Sequence, residues 1–207
     1  MNTTTPFLTI DPVVSDRLED VYSALDGGNW KKMINNHDEL RIRLVSQGIA
    51  DPENRSSMSW DDANLFFVSC TDLTRYGRPY PLDTGISKEK FGRFPYGEGS
   101  SISYLRDWIR DSKRDTEQLE EMADLLEKLN SRMSGTSLEK GVGRLEMLGW
   151  LTNEETTNLR KAITSRCWVP SAEEPLDGGC HDAAKHLLAL LRAAEKRRVG
   201  VLLRAHC

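Results

Sequence analysis

Cysteine, histidine, arginine and glycine carry most of the chemistry this chain could perform, so their spacing is the natural starting point. Cys70 and Arg75 are separated by four residues. A thiolate beside an arginine suits phosphate esters, because the guanidinium holds the tetrahedral anion while the thiol attacks it. The spacing is one residue short of the phosphatase loop, and no glycine lies between them. Cys70 also falls on an apolar face with Phe66 and Phe67, which favours a buried, inert thiol. Asp177, Cys180, His181, Asp182 and His186 are the right ligand types for zinc. His181 and His186 are five positions apart, however, which places them about 140° apart around a helix. His206 and Cys207 would complete such a site only if the terminus folded back. The expectation is therefore no metal and no cofactor.

The strongest candidate for recognition is the connector 77–100. It holds Gly77, Gly85, Gly92, Gly97 and Gly99, with Pro79, Pro81 and Pro95 and a scatter of aromatics. A connector of this length in a compact domain is usually functional or flexible. Gly97-Glu98-Gly99-Ser100-Ser101 leads into a helix whose first N–H groups suit a phosphate or carboxylate. Arg78 and Arg93 would supply charge, and Tyr76, Tyr80 and Tyr96 flat contact surfaces. Tyrosine and arginine are also the residues that anchor protein interfaces. The site expected from sequence is thus Tyr76, Arg78, Tyr80, Arg93, Tyr96, Gly97, Gly99, Ser100 and Ser101. The competing interpretation is that Ser100 or Ser101 merely caps the next helix.

Other signals exclude more than they assign. There is no G-x-x-x-x-G-K-[ST] loop, no G-x-G-x-x-G after a strand, no G-x-S-x-G elbow and no H-E-x-x-H pair. With 28 basic and 32 acidic residues the net charge is −4, and a nucleic-acid or anionic-membrane partner is not expected. The basic residues Lys196, Arg197, Arg198 and Arg204 suit the C-terminal end of a helix. No apolar run is long enough to span a bilayer. The start of the chain lacks the features of a signal peptide. Four widely spaced cysteines without a secretion signal point to free thiols in the cytoplasm.

The elements that would position these groups read as mostly helical, an α-rich α+β fold in one domain spanning 1–207. Phe7–Ile10 is strand-like. Asp11-Pro12 reads as a cap and first turn for a helix that stops at Gly27-Gly28. Asn29 caps a second helix ending at Gly48, and 49–58 is a loop. Ser59 and Asp62 read as a capping box for a helix running to Gly77. Tyr104–Ile109 begins a further helix. The charged stretch 110–118 is a solvated span or a break, with Ser112 and Asp115 as a cap. An apolar stripe then runs to Gly135. Ser137 opens a helix carrying Val142, Leu145, Met147, Leu148 and Leu151. Thr152 with Glu155 is a capping box, 169–179 is a loop, and His181–Arg198 is the last helix. Val199–Leu203 is strand-like and is expected to pair with Phe7–Ile10, joining the chain ends.

The function expected from these signs is a non-catalytic protein-binding module, an adaptor, regulator or inhibitor, working through 77–100. The alternative is an enzyme or a binding protein for a small phosphorylated or carboxylated ligand, held at the helix start near Gly97–Ser101.

Overall fold

In a computed structural model, which describes residues 7–82, 100–165 and 167–206, the two ends of the chain lie side by side. Strand β1 (Phe7–Val13) pairs antiparallel with β6 (Gly200–His206), from Phe7 opposite His206 to Val13 opposite Gly200. The other edge of β6 pairs with β4 (Leu145–Leu151), and β4 with the short β3 (Lys140–Gly141), giving the order β1-β6-β4-β3. Helices flank this sheet, so the molecule is α-rich with a small antiparallel sheet.

Pro12 belongs to β1 and does not open a helix. Its carbonyl accepts from Asp72 N (2.9 Å), on the side away from β6. The nitrogen of the same residue points the same way, so the missing N–H costs the ladder nothing at this edge strand. A 3-10 turn (Ser15–Arg17) intervenes before α1 (Leu18–Leu25). Gly27, at φ 86°, makes the turn. Asn29 then caps α2 (Trp30–Asn36), its side chain accepting from Lys32 N. The single helix expected to Gly48 is broken at His37, whose φ −130° and ψ 74° are not helical, and continues as α3 (Asp38–Ser46). His37 Nε2 lies 2.9 Å from Asp20 Oδ2 at this break.

Helix α4 (Asp62–Cys70) is capped by Asp61, not by the Ser59–Asp62 pair, and ends seven residues before Gly77. Thr71 turns extended and bridges Val13. The free edge of β1 captures this segment, because its outward groups need partners. After the connector come α5 (Ser101–Trp108) and β2 (Ile109–Asp111). Strand β2 pairs with β5 (Trp168–Pro170), so 110–118 is a break and the expected loop 169–179 begins as a strand. Asp115 alone caps α6 (Thr116–Ser131), accepting from Gln118 N.

The largest correction falls on Ser137–Leu151, which forms β3 and β4 instead of a helix. Gly143 (φ 78°) and Arg144 (φ 63°) make the reversal between the two strands. A register shift between Met147 and Gly149 breaks the two-residue alternation, which is why the apolar positions mimic a helical stripe. Gly149 is required here: a Cβ would stand 2.1 Å from the backbone oxygen of Lys128. The Thr152–Glu155 capping box forms as expected and opens α7 (Asn153–Thr164); α8 (Gly179–Arg197) follows.

Both faces of the sheet are covered. On one, Val13, Met147, Trp150 and Leu202 join Leu18, Ile34, Leu44 and Phe66 from α1–α4. On the other, Ile10, Leu151, Val201 and Leu203 join Leu105, Leu126, Leu159 and Leu187 from α5–α8. Successive residues of β6 thus serve opposite cores. Each such fully buried aliphatic side chain contributes about 1.5–3 kcal/mol.

Candidate interaction surface

The segment leaving α4 is a small hairpin held from three sides. Asp72 N bonds to Pro12 O, and Tyr80 N returns to Asp72 O (2.9 Å). Within the hairpin Thr74 N donates to Arg78 O (2.7 Å), and Leu73 bridges Pro79. Gly77, at φ 73°, supplies the left-handed residue of the turn. From α8, Arg197 donates to Asp72 Oδ2 and to Pro81 O, both at 2.7 Å. The hairpin is therefore anchored to β1 and to the end of α8 before the connector leaves it.

This frame presents aromatic side chains to water. Tyr76 is 73% exposed and Tyr80 45%, and Arg78 is exposed. The Arg75 guanidinium lies over the Tyr76 ring, 4.6 Å from its centroid. Beside Gly77 is a groove of about 400 Å³ lined by Trp60, Asn64, Phe67, Val68 and Val142 among others. Val142, at the β3–β4 turn, is 79% exposed. Asp61 closes one end: its carboxylate accepts from Asn64 N, Asn64 Nδ2 and Val142 N at 2.7–3.0 Å. Burial works against its charge, but these bonds outweigh it and hold the carboxyl below its ordinary value. Arg204, paired with Asp11, lies over Phe67 at 4.9 Å. The surface offers rings, apolar area and oriented cations, a chemistry of contact.

Of the residues expected from sequence, the structure brings Tyr76, Arg78 and Tyr80 together on the hairpin. Ser100 caps α5, its hydroxyl accepting from Ser103 N (3.3 Å), and Ser101 is buried. Arg93, Tyr96, Gly97 and Gly99 lie outside the described residues. Sequence reasoning did not find the groove, because Trp60, Phe67 and Val142 come from separate elements; exposed Val142 in a glycine-flanked turn was its one local sign.

The remaining candidates resolve differently. Cys70 is fully buried, and burial pushes its thiol up to about 12, against the opposing pull of Arg17 and Arg43. Arg75, over Tyr76, is not its partner. Cys180 is also raised to about 12, by burial and by the hydrogen bond and charge of Glu174. His181 packs its ring against Trp168, with centroids 5.5 Å apart. Among the described residues no group of three or more His, Cys, Asp or Glu side chains is placed to hold a metal. Comparison with protein-family models, curated proteins and solved structures finds no match to this chain.

Proposed function

We propose that this chain is a non-catalytic binding protein that engages another protein through the 71–82 hairpin and the adjoining groove. The observation that carries this reading is the pair of exposed tyrosines, Tyr76 and Tyr80, on a hairpin fixed by Arg197, Asp72 and Pro12. Rigid rings lose little conformational freedom on binding, and a pre-ordered loop lowers the entropic cost of association. Tyrosine and arginine anchors beside an apolar recess match the anatomy of interface centres.

Small-anion binding at the start of α5 has less support, since the Ser100 hydroxyl is already engaged in capping. Among the described residues no helix is long and apolar enough to cross a membrane. The free thiols Cys70, Cys167 and Cys180 suit a reducing compartment, and we assign the protein to the cytoplasm on that basis.

A photo-crosslinking residue in place of Arg78, compared with one in place of Lys161 on α7, tests the reading in cells. The expected result is one discrete protein adduct from position 78 and none from 161. No adduct from 78, or the same adducts from both, would refute it.

A further inference from the structure

The groove beside Gly77 carries a charge pattern that the tyrosines alone do not explain. Gly77, from the hairpin, and Val142, from the β3–β4 turn, both line it, together with Trp60, Asn64, Phe67 and Val68. Each of the two turns brings arginine next to that lining. Arg75 and Arg78 bracket Gly77 within one turn, closed by the bond from Thr74 N to Arg78 O (2.7 Å). Arg144 follows Val142 by two residues. All three arginines are exposed, and among the described residues no carboxylate forms an ion pair with any of them.

The acids of the same segments are already engaged. Asp61 accepts from Asn64 N, Asn64 Nδ2 and Val142 N. Asp62 pairs with Arg55 at 2.6 Å and Asp72 with Arg197 at 2.7 Å. Glu139 and Glu146 lie 3.9 and 3.5 Å from Lys140. Acids outnumber bases 32 to 28 in the whole chain, so three unpaired arginines beside one recess run against its overall charge. Like charges gathered at one place raise the local potential and draw the opposite charge. Arg75 is also held ready: it stacks over the Tyr76 ring, 4.6 Å from the centroid, and donates to the Tyr76 hydroxyl. A planar guanidinium oriented in this way gives up little freedom on meeting a carboxylate. The recess adds apolar area from exposed Val142 and half-buried Trp60 and Phe67.

We propose that the groove takes an acidic peptide segment of the partner, with an apolar or aromatic side chain in the recess and flanking Asp or Glu carboxylates on Arg75, Arg78 and Arg144. The inference rests on the hairpin reading and adds the chemistry of the partner. Guanidinium forks match carboxylate oxygens in pairs. Nucleic acid fits less well, since three cations on a chain of net charge −4 neutralise few phosphates.

The test titrates the full-length chain with two end-blocked synthetic peptides, Asp-Glu-Phe-Leu-Glu-Asp and Lys-Lys-Phe-Leu-Lys-Lys, and with an oligothymidylate, following the Trp60 indole N–H resonance. The acidic peptide should give a saturable shift and bind about tenfold or more tightly than the other two. Arg75→Glu/Arg78→Glu/Arg144→Glu should weaken it by about tenfold or more. Arg114→Glu/Lys161→Glu/Arg192→Glu, matched in charge and exposed elsewhere, should change it by less than about twofold. Should the first variant fail to fold, Arg75→Gln/Arg78→Gln/Arg144→Gln removes the charge alone and is expected to weaken binding as well. No saturable shift with the acidic peptide, equal binding of both peptides, tighter binding of the oligothymidylate, or equal affinities of the two triple-Glu variants would overturn the proposal. Any of these with a discrete adduct from position 78 would leave the hairpin reading standing, whereas absence of the adduct removes that reading itself.

Discussion

Arg132 lies over the indole of Trp150, its guanidinium carbon 3.4 Å from the ring centroid. The same side chain donates to Glu19 on α1 (2.7 Å) and to Glu155 on α7 (3.3 Å). One residue just past the end of α6 therefore joins helices from both faces of the sheet to its central strand β4. A lone exposed ion pair contributes about 0–1 kcal/mol. Stacking on a buried tryptophan and sharing two carboxylates raise this one above that range. Arg132→Ala should cost about 2–3 kcal/mol in urea unfolding. Lys128→Ala, which removes one contact to Glu155 (2.9 Å), should cost under about 1 kcal/mol.

Glu155 gives this network a pH signature. Burial opposes its charge, but the Thr152 N–H, Lys128 and Arg132 outweigh burial and depress its pKa in the folded state. A carboxyl with a depressed folded pKa adds stability that is present above its unfolded value, about 4.3. That stability is lost as pH falls through the folded value. Melting temperature plotted against pH should therefore fall more steeply below about pH 4.3 in the native chain than in Glu155→Gln. Parallel acid limbs would show that Glu155 is not held in this way.

Glycine positions separate two kinds of constraint. At Gly149 an added Cβ meets the Lys128 and Leu129 backbone oxygens at 2.1 and 2.6 Å. Backbone cannot step aside as a flexible side chain can, so Gly149→Ala should cost about 3 kcal/mol or leave the chain unfolded. At Gly143 there is open space, but φ is +78°. Gly143→Ala should cost about 1 kcal/mol, from backbone strain alone. Denaturant midpoints of the two variants distinguish packing from conformation.

The thiols provide a chemical check on the cores. With Cys70 and Cys180 buried and raised to about 12, almost no thiolate exists at pH 8. In a Cys207→Ser background, a thiol reagent should leave both unmodified in the native protein and label them only on unfolding. Prompt labelling of Cys70 under native conditions would place it at the surface instead.

How much of this could be seen in the sequence follows from how local each signal is. Asn29 and the Thr152–Glu155 box act within a few residues, and both caps form where the chain spells them. The pairing of the chain ends was legible because Phe7–Ile10 and Val199–Leu203 are short apolar runs. Strand β4 was not, because its bulge disguises the alternation and the reason for Gly149 lies in α6. The end of α4 was missed for a similar reason: Thr71 and Asp72 leave the helix to bond with the edge of β1, a partner more than fifty residues earlier. Tyr76, Arg78 and Tyr80 were named from residue type alone. Their anchoring by Arg197 is a product of tertiary structure.

The clamp on the hairpin can be loosened without touching its tyrosines. Asp72→Asn removes the charge that Arg197 meets at 2.7 Å. Hydrogen exchange at the Tyr80 amide, which bonds to Asp72 O, should accelerate severalfold relative to the native chain, while amides of β6 keep their rates. An unchanged Tyr80 rate would mean that the hairpin holds itself.

The central claim is that Tyr76 and Tyr80 anchor a protein partner. It is tested most directly by the affinity of the protein crosslinked at position 78 for the native chain and for Tyr76→Ala/Tyr80→Ala, at matched melting temperatures. Anchor residues of this kind contribute about 2 kcal/mol or more, so the account predicts a loss of about thirtyfold or greater. Equal affinities for the two chains would contradict it.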